Sequence, residues 1–232
     1  MCTECDGRHV SVVIPTLNEG LTIASTVEGV KTRLPRAEII VVDGGSNDNT
    51  RDEALKMGAK VFVCRERGYG RAIVYGAAQT TRDIIVMVDG DGTYDLSVLK
   101  QIVAQAADGS VVVGCRFHSK PEGMDVVSFF GNWIISRLLN IIWGIRIVDS
   151  QSGLKAFPRT LTSTFRRGDM AFSSEVLLRA KQLGIPIREI KLAEYRRRVK
   201  GSKSKLRRLP DGFSILRFIL KERLMGKRSA WK

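Results

Sequence analysis

Residues 83–95 read DIIVMVDGDGTYD. An apolar run of strand length passes directly into two aspartates separated by one glycine, Asp89-Gly90-Asp91. In an open parallel sheet, ligands bind beyond the carboxyl ends of the strands, so acids placed there face a ligand rather than the core. Two carboxylates two residues apart, with glycines allowing a tight turn, suit a hard divalent cation that also holds phosphate oxygens. A solvated Asp/Gly turn is the plain alternative, and the strand immediately before the pair favours a site.

The same pattern of strand followed by polar turn recurs on either side. Val10–Pro15 (VSVVIP) runs into Thr16-Leu17-Asn18-Glu19, and Glu38–Asp43 (EIIVVD) runs into Gly44-Gly45-Ser46. Asn18 is expected to cap a helix reaching about Arg33, and a second helix runs through Met57. Lys60–Cys64 reads as a third strand, Gly68–Ala78 as its turn and helix, and Ser110–Cys115 as a fifth strand after a helix starting near Leu96. This alternation predicts an α/β fold, a mostly parallel sheet flanked by helices. It also brings the loops after the first, second and fourth strands to one edge.

Beyond residue 116 the alternation lapses. Val126–Ile147 is apolar apart from Arg137 and Arg146, and is long enough for a membrane span to be considered. Asn132, Ser136, Arg137 and Asn140 recur at helical spacing, which favours an amphipathic helix on the core or on a membrane surface. Ser173–Leu183 reads as a helix, Ile187–Tyr195 as a strand, Val199–Asp211 as a basic loop and Gly212–Met225 as a closing amphipathic helix. The expected division is a flexible N-terminus (1–9), an α/β domain (10–211) and a C-terminal basic amphipathic helix and tail (212–232).

The composition is globular: 232 residues, 44% hydrophobic and 27% charged, which excludes a disordered chain. The net charge is +14, and residues 188–232 hold sixteen Lys and Arg against four acids, a net +12. Such a tail attracts phosphates on nucleic acid, on an anionic membrane or on a substrate. The run RRRVKGSKSKLRR (196–208) lacks interleaved aromatics and any nucleic-acid-binding motif, so nucleic acid is not the expected partner. No GxxxxGK[ST] loop or HExxH occurs, GYGRAI (68–73) lacks the third glycine of a dinucleotide fingerprint, and neither His9 nor His118 has an evident nucleophile. Cys64 and Cys115 lie in apolar runs and read as reduced core residues, while Cys2 and Cys5 with His9 fall one ligand pair short of a usual zinc site. The first residues lack the apolar region of a signal peptide, so a cytoplasmic location is expected.

Taken in order, VSVVIPTLNE (10–19), VVDGGSNDNT (41–50), RGYGRAIVYGA (67–77), VMVDGDGTYD (86–95), VVGCRF (112–117) and DSQSGLKAF (149–157) resemble the family 2 glycosyltransferases of GT-A fold. Within that family the chain is most similar to the dolichyl-phosphate (polyprenyl-phosphate) sugar synthases, and GSKSKLRRLPDG (201–212) is similar to a segment of archaeal members. The resemblance implies a Rossmann-like GT-A domain that moves a hexose from a nucleotide-sugar to dolichyl or polyprenyl phosphate with inversion. GDP-mannose is the first donor it suggests and UDP-glucose the second; an acceptor of another kind is the alternative. It further implies Mg²⁺ or Mn²⁺ as cofactor and peripheral attachment to the cytosolic face of a membrane, directly or through an anchoring partner.

Residue by residue, the resemblance assigns donor contacts to Pro15, Asn18, Glu19, Asp43, Gly70, Asp89, Gly90 and Asp91, with Asp89 and Asp91 holding the metal. Arg116 matches a basic residue of the active-site rim, expected to act in catalysis and, with Lys203, Lys205 and Arg207 of a basic loop over the phosphates, to hold the anionic acceptor; Ser152 and Gly153 match the acceptor-side turn. Ser128, Phe129 and Phe130 stand where related enzymes carry an arginine before Gly131-Asn132, so Arg137 is the expected substitute in acceptor binding and catalysis. Thr93 replaces a family glutamine that would be a third metal ligand, and Gly44 replaces the second acid of the common DDGS. Glu175 is either a polar helper or part of an ion pair.

Overall fold

The computed structural model describes residues 6–66, 68–117, 124–166, 170–196, 199 and 208–229. Strand β1 (Val10–Thr16) pairs in parallel with β2 (Glu38–Asp43) on one side and with β4 (Ile84–Met87) on the other, and β2 pairs in parallel with β3 (Lys60–Val63). The connections are right for crossovers: helix α1 (Ile23–Arg33) follows β1, α2 (Thr50–Lys56) follows β2, and α3 (Tyr69–Ala78) follows β3. After β4 come α4 (Leu99–Ala106), β5 (Val111–Cys115), α5 (Val126–Trp143), β6 (Lys155–Pro158), α6 (Phe172–Gln182), β7 (Ile187–Lys191) and α7 (Arg208–Ser229). Among the described residues the seven strands form one sheet in the order β3-β2-β1-β4-β6-β5-β7.

Both faces of the sheet are covered, which explains why its central strands read as continuous apolar runs rather than alternating ones. Successive side chains point to opposite faces. Val13, Val42, Met87, Val113 and Phe157 therefore pack under α3, α5, α6 and α7, while Val12, Ile14, Val41, Val86 and Val112 pack under α1 and α4.

One strand was not legible in the sequence. β6 inserts antiparallel between β4 and β5, with Lys155 opposite Met87 on one side and Val113 on the other. Because it runs against its neighbours, the segment that leads into it, residues 149–154, arrives at the edge where the parallel strands end. The expected strand Ile187–Tyr195 stops at Lys191; Tyr195 instead makes an isolated antiparallel bridge to Tyr94.

Helix α5 is capped by Asp125, whose carboxylate accepts the Ser128 N–H at 3.1 Å, and ends at Gly144 in the left-handed region (φ 62°). By length and composition it is apolar enough to cross a membrane. It buries Ile135, Ser136 and Leu139 and leaves Val126, Val127, Phe130, Ile134 and Ile141 exposed. Helix α7 starts at Arg208, four residues before the sequence pattern placed it, and packs Ile215, Phe218 and Ile219 into the core. The Trp143 indole N–H donates to the Ile219 carbonyl at 3.3 Å, joining α5 to α7.

Helix α3 seats tightly on the sheet at Gly76, where an added Cβ would stand 2.5 Å from Val13 Cγ1 and 2.8 Å from Val42 Cγ2. Gly76→Ala should therefore force α3 off the sheet and cost about 1–3 kcal/mol by overpacking, read as a lower denaturation midpoint in urea. An unchanged midpoint would show that the helix seats less tightly than described.

Candidate active site

The β1 and β2 loops are tied together by polar side chains rather than by apolar packing. Asn18 adopts a left-handed backbone (φ 54°), its N–H donates to Ser46 Oγ at 2.8 Å, and its Oδ1 accepts the Asn47 N–H at 2.8 Å. Asn18 is thus a turn residue; it does not cap α1, which begins five residues later at Ile23. The Glu19 N–H donates to Thr50 Oγ1 at 2.8 Å, and Glu19 is buried. Pro15 lies in β1 opposite Val42.

Asp43 is fully buried, and its carboxylate accepts the N–H groups of Gly45 (3.2 Å) and Ser46 (3.0 Å) and the Ser46 hydroxyl. The Arg51 guanidinium lies 3.8 Å away. Asp43 therefore shapes the GGS loop from within. Gly44 donates its N–H to the Thr16 carbonyl at 2.8 Å, which draws the two loops together.

The acids after β4 stand beside these loops. Asp91 is 3% exposed and its Oδ1 accepts both the N–H (3.1 Å) and the hydroxyl (2.6 Å) of Thr93. Thr93 thus orients Asp91 where a glutamine would offer a further ligand. The Gly90 carbonyl accepts the Thr22 hydroxyl at 2.7 Å, linking the DGD turn to α1. Asp89 Oδ1 accepts the Tyr69 hydroxyl at 2.8 Å, so the first turn of α3, which contains Gly70, is brought to the same edge. Burial and the neighbouring Asp89 push the Tyr69 phenol well above its usual range, so it stays a donor.

The acceptor-side segment meets Asp89 directly. A Cβ added to Gly153 would lie 2.1 Å from Asp89 Oδ2, so this position accepts only glycine while the carboxylate stays where it is. The Gly153 N–H donates to the Tyr94 hydroxyl, and the Leu154 N–H donates to Ser152 Oγ at 3.2 Å. Ser152 is fully buried. Beneath the turn, Lys155 is fully buried and donates from Nζ to the Ser152 carbonyl. Burial pulls its ammonium down to about 7, against the opposing pull of Asp149. Sequence reasoning missed Lys155, since a lysine within so short a run gives no sign of pointing inward.

Arg116 was expected on an open rim, and the structure places it inside. It is 6% exposed and forms a bidentate pair with Asp149, Nε to Oδ2 at 2.7 Å and NH2 to Oδ1 at 2.8 Å. Its guanidinium carbon lies 5.2 Å from the Tyr195 ring centre and 5.5 Å from that of Phe117. Burial opposes its charge, but Asp149 outweighs this and raises its pKa well above the usual value. Arg137 is exposed on this side, as is Arg146: Arg137 stacks over Trp133 at 5.4 Å, and both line, with Ser136, Asn140, Val148 and Glu189, a cavity of about 530 Å³. Ser136 hydrogen bonds Ser150 at 3.0 Å, which ties this cavity's wall to the acceptor-side segment. A second cavity, about 410 Å³, lies between α1 and the Gly92–Ser97 loop and reaches Asp89.

Glu175 resolves as an ion pair: fully buried, it accepts the Arg166 N–H (2.9 Å) and the Arg179 guanidinium (3.1 Å), which also reaches Glu222 of α7 at 2.6 Å. Lys203, Lys205 and Arg207 lie outside the described residues. Among the described residues no cluster of three His, Cys, Asp or Glu side chains forms a self-sufficient metal site. The donor set of Asp89 and Asp91 fits a divalent cation completed by phosphate oxygens of a ligand.

With this geometry in place, comparison with known proteins identifies the lineage. The chain belongs to glycosyl transferase family 2, which residues 11–164 match. It is 31% identical over 221 residues to a low-salt glycan biosynthesis hexosyltransferase of Haloferax volcanii, covering 91% of this chain and 53% of that protein. It is likewise 31% identical over 229 residues to a dolichyl-phosphate hexose transferase of the same organism, covering 96% and 99%. The chain thus spans about half of one relative and nearly all of the other. Among solved structures, glucosyl-3-phosphoglycerate synthase from Mycobacterium tuberculosis, in complex with Mn²⁺, uridine diphosphate and phosphoglyceric acid, superimposes with a TM-score of 0.76 at 22% identity, over 92% of this chain and 78% of that one. The mostly parallel sheet with its flanking helices is the GT-A fold.

The contact between Gly153 and Asp89 yields a direct test. Gly153→Ala should displace the Asp89 carboxylate and weaken Mn²⁺ binding in the presence of nucleoside diphosphate by about tenfold or more, read by electron paramagnetic resonance titration. Unchanged Mn²⁺ affinity would show that Asp89 does not help hold the ion.

Proposed function

We propose that this chain transfers a hexose from a nucleoside-diphosphate sugar to a dolichyl-type polyprenyl phosphate at the cytosolic surface of a membrane. The observation that carries this reading is the meeting of Asp89, the first acid of the DGD turn, with the Ser152–Gly153 turn at one sheet edge, beside the tied β1 and β2 loops. A donor lying along those loops would place its diphosphate at the carboxylates and its sugar toward the acceptor-side turn. The Haloferax volcanii dolichyl-phosphate hexose transferase, matched over nearly its whole length, supports the acceptor class.

The chemistry follows from charge. A phosphate monoester is already largely ionised at neutral pH, so its oxygen attacks the sugar C1 without a protein base. A bond forms between that oxygen and C1, the bond from C1 to the diphosphate breaks, and the nucleoside diphosphate departs with the electron pair. Attack from the face opposite the leaving group inverts C1. Mg²⁺ or Mn²⁺, when bound, supplies charge to stabilise the departing diphosphate. Asp91, held by Thr93, and Asp89, held by Tyr69, supply its protein ligands in fixed orientations. Arg137, exposed beside the acceptor-side wall, attracts the anionic acceptor, while Arg116 with Asp149 fixes the segment that carries Ser152.

For the donor, the sequence resemblance puts GDP-mannose first. The Mycobacterium tuberculosis neighbour, which holds uridine diphosphate on this fold, favours UDP-glucose as the second reading. Transfer from radiolabelled GDP-mannose, UDP-glucose and UDP-N-acetylglucosamine to detergent-dispersed dolichyl phosphate, with and without divalent metal, should give lipid product from one donor only in the presence of metal. Asp91→Ala should reduce that product at least a hundredfold; a variant with normal turnover would remove Asp91 from the site, and no lipid product from any donor would overturn the acceptor class.

Membrane docking is part of the same proposal. On α7 the exposed Phe213, Leu220 and Leu224 are interspersed in sequence with the exposed cations Arg217, Lys221 and Arg223, and α5, joined to α7 through Trp143, adds its own exposed apolar residues. Such a combination suits an anionic bilayer surface. The full chain should sediment with vesicles containing anionic lipid, and Ile141→Ser combined with Leu224→Ser should weaken this binding about tenfold while leaving donor binding intact. Equal sedimentation of the variant would place the contact elsewhere.

A further inference from the structure

Lys155 is the one lysine the described structure buries completely within the sheet. It forms no ion pair among the described residues, and its one described hydrogen bond runs to the Ser152 carbonyl. Burying an ammonium without a partnered carboxylate is costly, and an aliphatic side chain of the same length would fill this place between Met87 and Val113 without that cost. The surroundings indicate what the charge does instead. Asp149, Asp89 and Glu189 all act on it favourably from a distance, while Arg116 opposes it. It thus feels both the acid of the donor side and the buried Arg116–Asp149 pair of the acceptor side.

The carbonyl that Lys155 holds belongs to the turn seated on Asp89. Gly153 backs onto the Asp89 carboxylate with no room for even a Cβ, which would stand 2.1 Å from Oδ2, so a shift of the turn toward the carboxylate would disturb it. On its other flank the turn is held through the Gly153 N–H to Tyr94 and the Leu154 N–H to Ser152 Oγ, two neutral hydrogen bonds. Lys155 adds a contact from within the sheet, and its bond to the Ser152 carbonyl is charge-assisted whenever the amine is protonated.

We propose that Lys155 is a positioning residue for transfer: by holding the Ser152 carbonyl from below, it fixes the Ser152–Leu154 turn at a set distance from Asp89, so that acceptor and donor meet in register. The proposal rests on the glycosyl-transfer reading given above. It assigns Lys155 to the acceptor side, although it touches neither substrate. Loss of the clamp should therefore loosen acceptor use far more than donor binding.

The test compares Lys155→Met with Lys155→Arg in the full chain. Methionine keeps the length and apolar contacts and removes the donor, so the variant should fold; arginine keeps the charge and a donor. Two measurements are needed. Hydrogen–deuterium exchange across residues 149–157 should become faster in Lys155→Met and stay nearer the wild type in Lys155→Arg, with β1 and β2 unchanged in both. The KM for dolichyl phosphate should rise roughly tenfold in Lys155→Met, with donor affinity by calorimetry within about twofold, and Lys155→Arg should recover part of the loss. Unchanged exchange over 149–157 would overturn the proposal. So would faster exchange with an unchanged acceptor KM, or with donor affinity falling in step, since either marks a merely structural lysine. If Lys155→Met fails to fold, a Lys155→Arg variant indistinguishable from wild type in exchange and in acceptor KM supports the clamp, and one with donor and acceptor use impaired equally overturns it. A wild-type chain inert toward every lipid phosphate would overturn the transfer reading itself, and the exchange measurement would then decide the clamp on its own.

Discussion

The direction of one short strand governs the rest of the site. Lys155–Pro158 runs antiparallel between β4 and β5, so the residues before it reach the edge where β1, β2 and β4 end. Had this strand been parallel, the Asp149–Leu154 segment would have entered from the opposite edge, and the acids of the DGD turn would have had no acceptor-side wall. Instead Gly153 rests on Asp89, and Ser150 is held by Ser136 of α5. The helix that carries the exposed apolar face and the turn beside the acids are thereby linked through the Ser136 hydroxyl, which bonds both the N–H and the hydroxyl of Ser150.

An edge so rich in carboxylates is stable only if each buried acid is satisfied, because an unpaired buried charge is expensive. The chain does this in four different ways. Asp43 draws on backbone N–H groups and a serine within its own loop, and Asp91 on Thr93. Asp89 draws on the Tyr69 hydroxyl, and Asp149 on a bidentate arginine. Asp89, half-buried, receives the Tyr69 phenol at one oxygen and has Gly153 against the other. A ligand bringing positive charge to this edge would be received by acids already oriented.

Much of this was legible from sequence, and the failures have physical causes. The long apolar runs of β1, β2, β4 and β5 are what strands buried on both faces require, and the polar residues that follow them identified the edge. β6 was hidden because it has four residues, one a lysine and the last a proline, so it carries no strand signal on its own. Asn18 was read as a helix cap because a polar residue between a strand and a helix usually is one; its left-handed backbone and bonds to the next loop are tertiary facts. Arg116 was placed on the rim by its resemblance to a family residue, and the Asp149 thirty-three residues away that neutralises it cannot be matched by spacing alone. Lys155 escaped notice because a lone lysine in a four-residue strand gives no sign of pointing inward.

The central claim is that donor and metal meet at Asp89 and Asp91 beside the Ser152–Gly153 turn. Anomalous diffraction at the manganese edge, from crystals of the full chain grown with Mn²⁺ and a nucleoside diphosphate, addresses it most directly. A peak within coordination distance of a carboxylate oxygen of Asp91, with diphosphate density between it and the β1 and β2 loops, is the predicted result. A peak at other side chains, or nucleotide density away from this edge, would contradict the account.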